Sequence, residues 1–570
     1  MLRNRTAWLL FAIFGTILGA MCLWPILHVV SGGFQYEGHF TLEYIAGVFK
    51  NPIYAEGLRN SLFIALGTTF LACCLSIPLA TIAHRYKFMG RGVFSAMILV
   101  PMILPPFVGA IGLMQMLGPY GALNAILGCG PVDWLGSSRY AGVVILQALS
   151  FYPILYLNVS AALANIDPAM EEAAANLGCH GWRTFRRITL PLIAPGLFAG
   201  GTLVFIASFT ELGTPMMLNY NRCAAVQVYD ELKEISSSPF PYALVTVVLA
   251  ASVLLYVLTR TLFGGRAHAM QTRATTAHVE KTLTGWRSFA AMLPFLLVTL
   301  FALMPHIGVV LTSFSDPGSW YNTILPGKFT GANYSAALGH GMTIAGVKNS
   351  LVFSTLAVIV NIVMGIGIAW VTVRSRIAAR GALDALAMVP LAVPGLVMAF
   401  GFLAISQWLV NHDLLSSLPD AAKSLFDVHT NPTLFLVVAY AVRRLPYMVR
   451  AASAGLQQTS VALEEAAANL GASPLRSLRR VTLPLIAANL IAGVLLSFAF
   501  SMLEVSDSLM LAQTEEFYPV TKTIYELFQL IGVGRYISAA LGVWAMGFLA
   551  VTIVGSSIML GKKLGALFRV

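Results

Sequence analysis

Apolar residues in this chain arrive in runs of about twenty, separated by short polar stretches, rather than at the 3.6- or 2-residue periods of half-buried helices and strands. Clear runs occupy residues 7–30, 61–83, 243–262, 289–312 and 540–560. A helix of that length crosses roughly 30 Å of hydrocarbon. Lipid offers no partner to exposed backbone amides and carbonyls, so such runs must be helical. A barrel would need alternating segments of about ten residues, which the chain does not show. Six spans fall in each half, near 7–30, 60–83, 94–117, 140–162, 196–218 and 242–263, then near 288–312, 349–372, 382–408, 433–453, 489–512 and 539–561. The fold class is therefore an all-α polytopic membrane protein with about twelve transmembrane helices. The first run follows Met1-Leu2-Arg3-Asn4-Arg5, as a signal peptide would, but it is long and lacks a small-residue cleavage pattern. It reads as a retained helix.

Composition agrees. Apolar residues make up 58% of the 570 positions and charged residues 10%, against roughly 25% charged in a soluble domain. The net charge of +11 would suit a nucleic-acid surface, but its distribution does not. Cations gather in alternate loops: Arg3 and Arg5; Arg85, Lys87 and Arg91; Arg183, Arg186 and Arg187; Arg266 to Arg287; Arg374, Arg376 and Arg380; Arg476, Arg479 and Arg480; and Lys562, Lys563 and Arg569. The intervening loops carry Glu37, Glu43, Asp133, Asp230, Glu234, Glu515 and Glu516. This positive-inside pattern places both termini in the cytoplasm and makes the partner a lipid bilayer, not nucleic acid. The six cysteines all lie in the first half without metal-ligand spacing. Cys129 and Cys223 share an external side, where a disulfide is conceivable.

Two of the few long polar stretches repeat one another. Glu171-Glu172-Ala173-Ala174-Ala175-Asn176-Leu177-Gly178 returns letter for letter as Glu464-Glu465-Ala466-Ala467-Ala468-Asn469-Leu470-Gly471, 464 − 171 = 293 positions later. Thr189-Leu190-Pro191-Leu192-Ile193 returns as Thr482-Leu483-Pro484-Leu485-Ile486. Phe40-Thr41, Asn60-Ser61-Leu62, Pro101, Pro105, Pro153 and Glu211 match Phe329-Thr330, Asn349-Ser350-Leu351, Pro390, Pro394, Pro446 and Glu504. The order and near-constant offset mark a tandem duplication. Six spans per copy is an even number, so the two repeats run parallel, related by an axis along the membrane normal with the path between them. The expected domains are residues 1–263 and 288–570, joined by a polar cytoplasmic linker at 264–287.

The repeated loop has helix signals. Asp167 is an N-cap and Pro168 suits the first helical position. The glutamates fall in the first turns, where the helix dipole favours anions. Gly178 supplies the C-terminal stop. A second short helix carrying Arg183, Arg186 and Arg187 is expected to end near Pro191, with Ser473-Pro474 opening its counterpart. Two copies of such a helix–turn–helix on the cytoplasmic face point to a docking element.

Glu-Ala-Ala, three residues, Gly, nine residues and Ile/Val-x-Leu-Pro resembles the signature loop of permease subunits of type I ATP-binding-cassette importers, the MetI-like fold. The residues that carry the resemblance are Glu172, Ala173, Ala174, Gly178, Leu190 and Pro191, and Glu465, Ala466, Ala467, Gly471, Leu483 and Pro484. The resemblance implies a multi-pass permease of the bacterial inner membrane. Each loop helix would enter a groove on one of two copies of a cytoplasmic ATPase. Solute would arrive on a periplasmic solute-binding protein, and the chain would be outward-open when ATP closes the ATPase dimer and inward-facing at rest. Two permease chains pair in most relatives. Both are fused here, as in the branch serving ferric iron, thiamine and 2-aminoethylphosphonate, and the layout is most similar to the 2-aminoethylphosphonate permeases, with ferric-iron permeases next.

The chain lacks a Gly-x-x-x-x-Gly-Lys-Ser/Thr phosphate loop. It shows no catalytic constellation and no metal or cofactor site, so it is expected to move solute without hydrolysing nucleotide. Charges inside spans are costly and usually face the protein interior. Arg443 and Arg444 lie within the tenth span where the first half has Ser150-Phe151. They are candidates for an anion-stabilising point on the path, or else snorkel to the interface, or pair with Glu504 or Asp507. Glu211 and Glu504 occupy equivalent places, suited to gating or helix bonding, with a cation site as the rival. An ion-coupled twelve-helix secondary transporter is the alternative class, and it would need no docking loops.

Overall fold

The computed structural model describes residues 4–102, 105–235, 237–267, 281–412, 417 and 419–560. Among these, ten helices are long and apolar enough to cross a membrane: Arg5–Gly33, Pro52–Arg85, Pro106–Leu127, Tyr140–Ala164, Trp182–Phe209, Phe240–Leu258, Gly285–Phe314, Gly341–Arg374, Pro474–Met502 and Gly534–Thr552. A bent pair, Arg380–Ala392 and Gly395–Asn411, makes an eleventh span with an angle of 102° at the break. The remaining expected span, the tenth, is the helix Thr433–Gln458. It is long enough to cross, but Arg443, Arg444 and Arg450 keep it out of the apolar set.

Three boundaries differ from the sequence expectation. The third and ninth spans, where the prolines at 101, 105, 106, 390 and 394 predict a kink, are broken outright. Arg91–Met97 is followed by a tight turn at Val100–Met102 before Pro106–Leu117 begins. Paired prolines explain this, since each removes an amide and restricts the residue before it. The fifth and eleventh spans stop earlier than expected, at Phe209 and Met502, and resume as the short helices Gly213–Met217 and Ser506–Leu511. The expected second helix of each loop is not separate. It runs through a wide turn, Phe185–Thr189 or Leu478–Thr482, directly into the span. There the Leu190 and Leu483 amides bond five residues back, to Phe185 and Leu478, and the proline that follows is accommodated without ending the helix.

The two repeats exchange their first helices. Gly401 in the second half meets Pro25 of the first span so closely that a Cβ there would press on the Pro25 backbone, and Gly367 sits under Phe14. Reciprocally, Gly112 of the first half crosses Pro305 and Gly308 of the seventh span backbone to backbone. Small residues permit this approach, which is how helices pack where lipid removes the hydrophobic drive. One apolar cluster, including Phe107, Phe353, Phe400 and Tyr440, continues through both halves.

Several repeated landmarks acquire a reason. The Ala224 amide donates to Ser61 Oγ (2.9 Å) and the Val520 amide to Ser350 Oγ (2.8 Å), while Asn60 and Asn349 bond the Arg222 and Glu516 carbonyls. These clamps seat the helices Ala224–Asp230 and Val520–Gln529 at equivalent places. Thr41 and Thr330 accept from the amides two residues on, each at 3.1 Å. Cys129 and Cys223 are both free thiols; Cys223 is buried, with its pKa pushed up to about 12 by that burial. Of the expected linker 264–287, residues 264–267 continue the helix Phe240–Ala267, 268–280 lie outside the described residues, and Lys281–Thr282 pairs in parallel with Tyr86–Lys87.

Candidate functional site

The repeated loops fold into matched helices, Pro168–Asn176 and Val461–Asn469. Asp167 caps the first by accepting from the Ala169 amide (3.0 Å), and Ser460 caps the second by accepting from Ala462 (3.3 Å). A side-chain cap contributes about 1 kcal/mol. At the other end Gly178 and Gly471 take φ of +77° and +81°. Their amides bond the Ala175 and Ala468 carbonyls, and the next amides bond Ala174 and Ala467. This 6→1 and 5→2 pair closes the helix only if the turning residue is left-handed, which is why glycine stands there.

The two glutamates of each loop have different surroundings. Glu171 pairs with Arg85 at the end of the second span (2.5 Å) and accepts from Thr189 Oγ1 (2.9 Å). Glu464 does the same with Arg374 (3.1 Å) and Thr482 Oγ1 (3.2 Å). The first glutamate therefore ties the loop helix to its own repeat. Glu172 and Glu465 are exposed, as are Ala173, Ala466, Pro191 and Pro484, while Ala174 faces inward and Leu190 and Leu483 are half-buried. Ser473 accepts from the Arg476 amide at the start of the span that follows.

Sequence reasoning passed over the apolar part of this surface. Leu177 and Leu470 are 88% and 89% exposed, and Met170, Trp182, Leu463 and Leu475 stand out beside them. Each pair, Leu177 with Leu470, Met170 with Leu463 and Trp182 with Leu475, is separated by 293 positions. An apolar patch kept bare in both copies is a surface awaiting a partner. The signal was present in the identity of Leu177 and Leu470, which a helix stop alone would not require.

The candidate path residues meet between the halves. The breaks after the fifth and eleventh spans face each other, since a Cβ on Gly213 would press on Val505 as well as Phe107. Arg443 pairs with Glu504 (2.5 Å) and lies 3.6 Å from Asp507, while Arg444 pairs with the other Glu504 oxygen and with the Phe500 carbonyl (3.1 Å). Glu504 and Asp507 are almost fully buried. Arg443 and Arg444 are thus paired through Glu504, one of the alternatives open to them. Glu211 lies within electrostatic range of Glu504 and Arg443 but, among the described residues, bonds locally, accepting from the Thr214 amide and hydroxyl at 3.3 Å. Arg443 also explains a glycine. Its guanidinium occupies the space where a Gly395 side chain would go, and the matching position of the first half, opposite Ser150 rather than an arginine, is Pro106.

Away from the loops, Lys522 joins the halves. Its ammonium is bonded to Glu526 (2.8 Å) and to Tyr229 of the first half (3.3 Å), and it lies over the rings of Tyr229, Tyr518 and Tyr525 at 5.4–5.8 Å. Among the described residues no cluster of His, Cys, Asp and Glu could hold a metal ion.

The family described as "Binding-protein-dependent transport system inner membrane component" matches twice, over residues 76–269 and 361–558. Both matches contain a loop helix, its glycine and the following Leu-Pro. The chain belongs to that family. It is a multi-pass member of it with two copies of the family's domain. It is 27% identical over 477 residues to the ferric transport system permease protein FbpB of Actinobacillus pleuropneumoniae, covering 81% of this chain and 64% of that relative's length. A putative ferric transport permease, FbpB 1 of Haemophilus influenzae, is 26% identical over 490 residues, 82% of this chain and 70% of the relative. A probable molybdenum ABC transporter permease of Haloferax volcanii is 33% identical over 210 residues, 36% of this chain and 76% of its own. Among solved structures, a bacterial alginate ABC transporter in complex with an alginate pentasaccharide-bound periplasmic protein aligns with TM-score 0.38 and 19% identity, over 49% of this chain and 95% of that one.

Proposed function

We propose that this chain is the transport subunit of an ATP-driven importer, and that its two loop helices each seat one copy of a cytoplasmic ATPase. The observation that carries this reading is the pair of capped helices whose apolar residues Leu177 and Leu470 stand bare beside the exposed Glu172 and Glu465. A helix laying such residues into a groove is a common recognition mode, and the rigid tie of Glu171 to Arg85 and of Glu464 to Arg374 would pass a push on the loop to its own repeat. The positive-inside pattern supports a cytoplasmic side for the loops and both termini. ATP hydrolysis is then the partner's task, and solute comes from a periplasmic binding protein. In the alternating cycle the Lys522–Tyr229 contact, at the end opposite the loops, separates whenever the path opens outward.

For the solute we favour ferric iron, because relatives named as ferric transport permeases align over most of the chain. A second reading, 2-aminoethylphosphonate, is supported by the arginines described below and by the likeness of layout. Uptake of radiolabelled ferric iron and of 2-aminoethylphosphonate by proteoliposomes with the ATPase and binding protein separates the two. Introducing Gly178→Asp with Gly471→Asp should abolish ATP-dependent uptake of either. Uptake that survives both substitutions would remove the docking role and favour an ion-coupled carrier.

A further inference from the structure

At the end opposite the loops, a cavity of about 230 Å³ opens between the two halves, with Gln115, Tyr120 and Arg139 contributed by the first and Trp320, Tyr321 and Arg535 by the second. Two of these residues are arginines, and among the described residues the lining contains no carboxylate. Arg139 has Asp133 near it at 3.8 Å, beyond hydrogen-bond length, and the hydrogen bond described for Arg535 is a single one, from Nη1 to Gln115 Oε1 (3.3 Å). A guanidinium carries five N–H donors, so both keep donors for a ligand.

The walls between the arginines are held rather than loose. Gln115, only 6% exposed, donates through Nε2 to the Trp320 carbonyl (2.8 Å), which turns its Oε1 toward Arg535. Tyr120 and Tyr321 stack across the halves with centroids 4.5 Å apart and planes 22° apart, and the Asn322 amide donates to the Tyr120 carbonyl (2.9 Å). Buried polar positioning and an aromatic wall are features of a preformed small-ligand site. The arrangement also has no twin. The offset of 293 that relates Pro153 to Pro446 sets Pro432 opposite Arg139, and offsets of 293 to 296 set residues 239–242, none of them charged, opposite Arg535. Where the loops come in two copies, this feature comes once.

We infer that this cavity is a binding site for a single tetrahedral oxyanion of the phosphate or phosphonate type, gripped by Arg139 and Arg535. Guanidinium forks match such oxygens in geometry as well as charge. The group could be borne by a free solute entering the path or by a lipid headgroup of the facing leaflet, because tryptophan, tyrosine and arginine are also the residues of the membrane interface. The inference does not depend on the ATPase partnership.

The test uses the full chain in nanodiscs of neutral phosphatidylcholine. Calorimetric titration with methylphosphonate should show one site per chain, weakened at least about tenfold by Arg535→Gln and by Arg139→Gln, with unchanged elution and thermal midpoint. Arg535→Lys, which keeps the charge but loses the fork, should fall between and serves if the glutamine variant misfolds. If methylphosphonate does not bind but native mass spectrometry finds phosphatidylglycerol retained by the parent chain and lost from the double variant, the oxyanion site stands with lipid as its source. Binding of neither probe, or binding of both probes unchanged in the folded variants, overturns it. Neither titration involves the ATPase, so failure here leaves the docking reading standing.

Discussion

The loop helices and the central charge cluster come from the same duplication and have diverged to different degrees. In the loops, cap, glycine, ion pair and bare leucine are matched residue for residue, down to Arg85–Glu171–Thr189 against Arg374–Glu464–Thr482. In the centre, Glu504 holds two arginines while its twin Glu211 holds a threonine. Arg443 and Gly395 on one side face Ser150 and Pro106 on the other. On the proposed reading, surfaces that meet two copies of one partner keep two copies of one shape, and a centre that encloses a single path is free to become lopsided.

The comparison breaks most visibly at the two glutamates. Glu504→Ala removes the buried carboxylate shared by two part-buried guanidiniums and should destabilise the protein by about 3 kcal/mol. Glu211→Ala removes local hydrogen bonds and should cost about 1 kcal/mol. Unfolding in detergent that gives equal losses would mean the asymmetry is not energetic. Next in size is Gly395→Ala, which forces Arg443 aside at roughly 1–3 kcal/mol; Pro106→Ala, in the half where Ser150 stands for Arg443, should stay below that.

The symmetric region should behave symmetrically. Gly178→Ala and Gly471→Ala each place a Cβ at positive φ and should cost about 1 kcal/mol, and the two values should agree within roughly 0.5 kcal/mol, the scatter of independent sites. A large difference in thermal midpoint would show that the loops are alike in shape but not in load. The smallest effect concerns Lys522. Burial works against its charge, but Tyr229 and Glu526 outweigh burial and hold its pKa above the ordinary lysine value. A raised folded-state pKa contributes stability that is fully present below the unfolded value of about 10.4 and is lost as pH rises through the folded value. Cross-linking between cysteines placed beside Lys522 and Tyr229 should therefore not change from about pH 6 to 9.

Much of this was legible in the sequence, and for physical reasons. Spans announce themselves because lipid demands long apolar helices. Asp167, Ser473 and Gly178 announced their caps because capping depends on local residue type. The tenth span is expected near 433–453 although its arginines lower its hydropathy, and Pro446 within it matches Pro153. The broken third span, the halted fifth and the continuous loop-to-span helix were less visible, since a wide turn before Pro191 or a break at 210–212 depends on what packs there. Burial was invisible as well. Nothing local distinguishes Glu171, tied to Arg85, from Glu172, which is exposed, or marks the Leu177 side chain as bare.

The central claim is that one chain carries two equivalent sockets, and the mass of its complex tests it most directly. Native mass spectrometry of the chain co-expressed with its ATPase should show two ATPase copies per chain. Leu177→Asp or Leu470→Asp alone should weaken retention of the complex to a similar degree, and the two together should leave the chain free. A parent complex holding one ATPase copy, or a double variant that still holds two, would contradict the account.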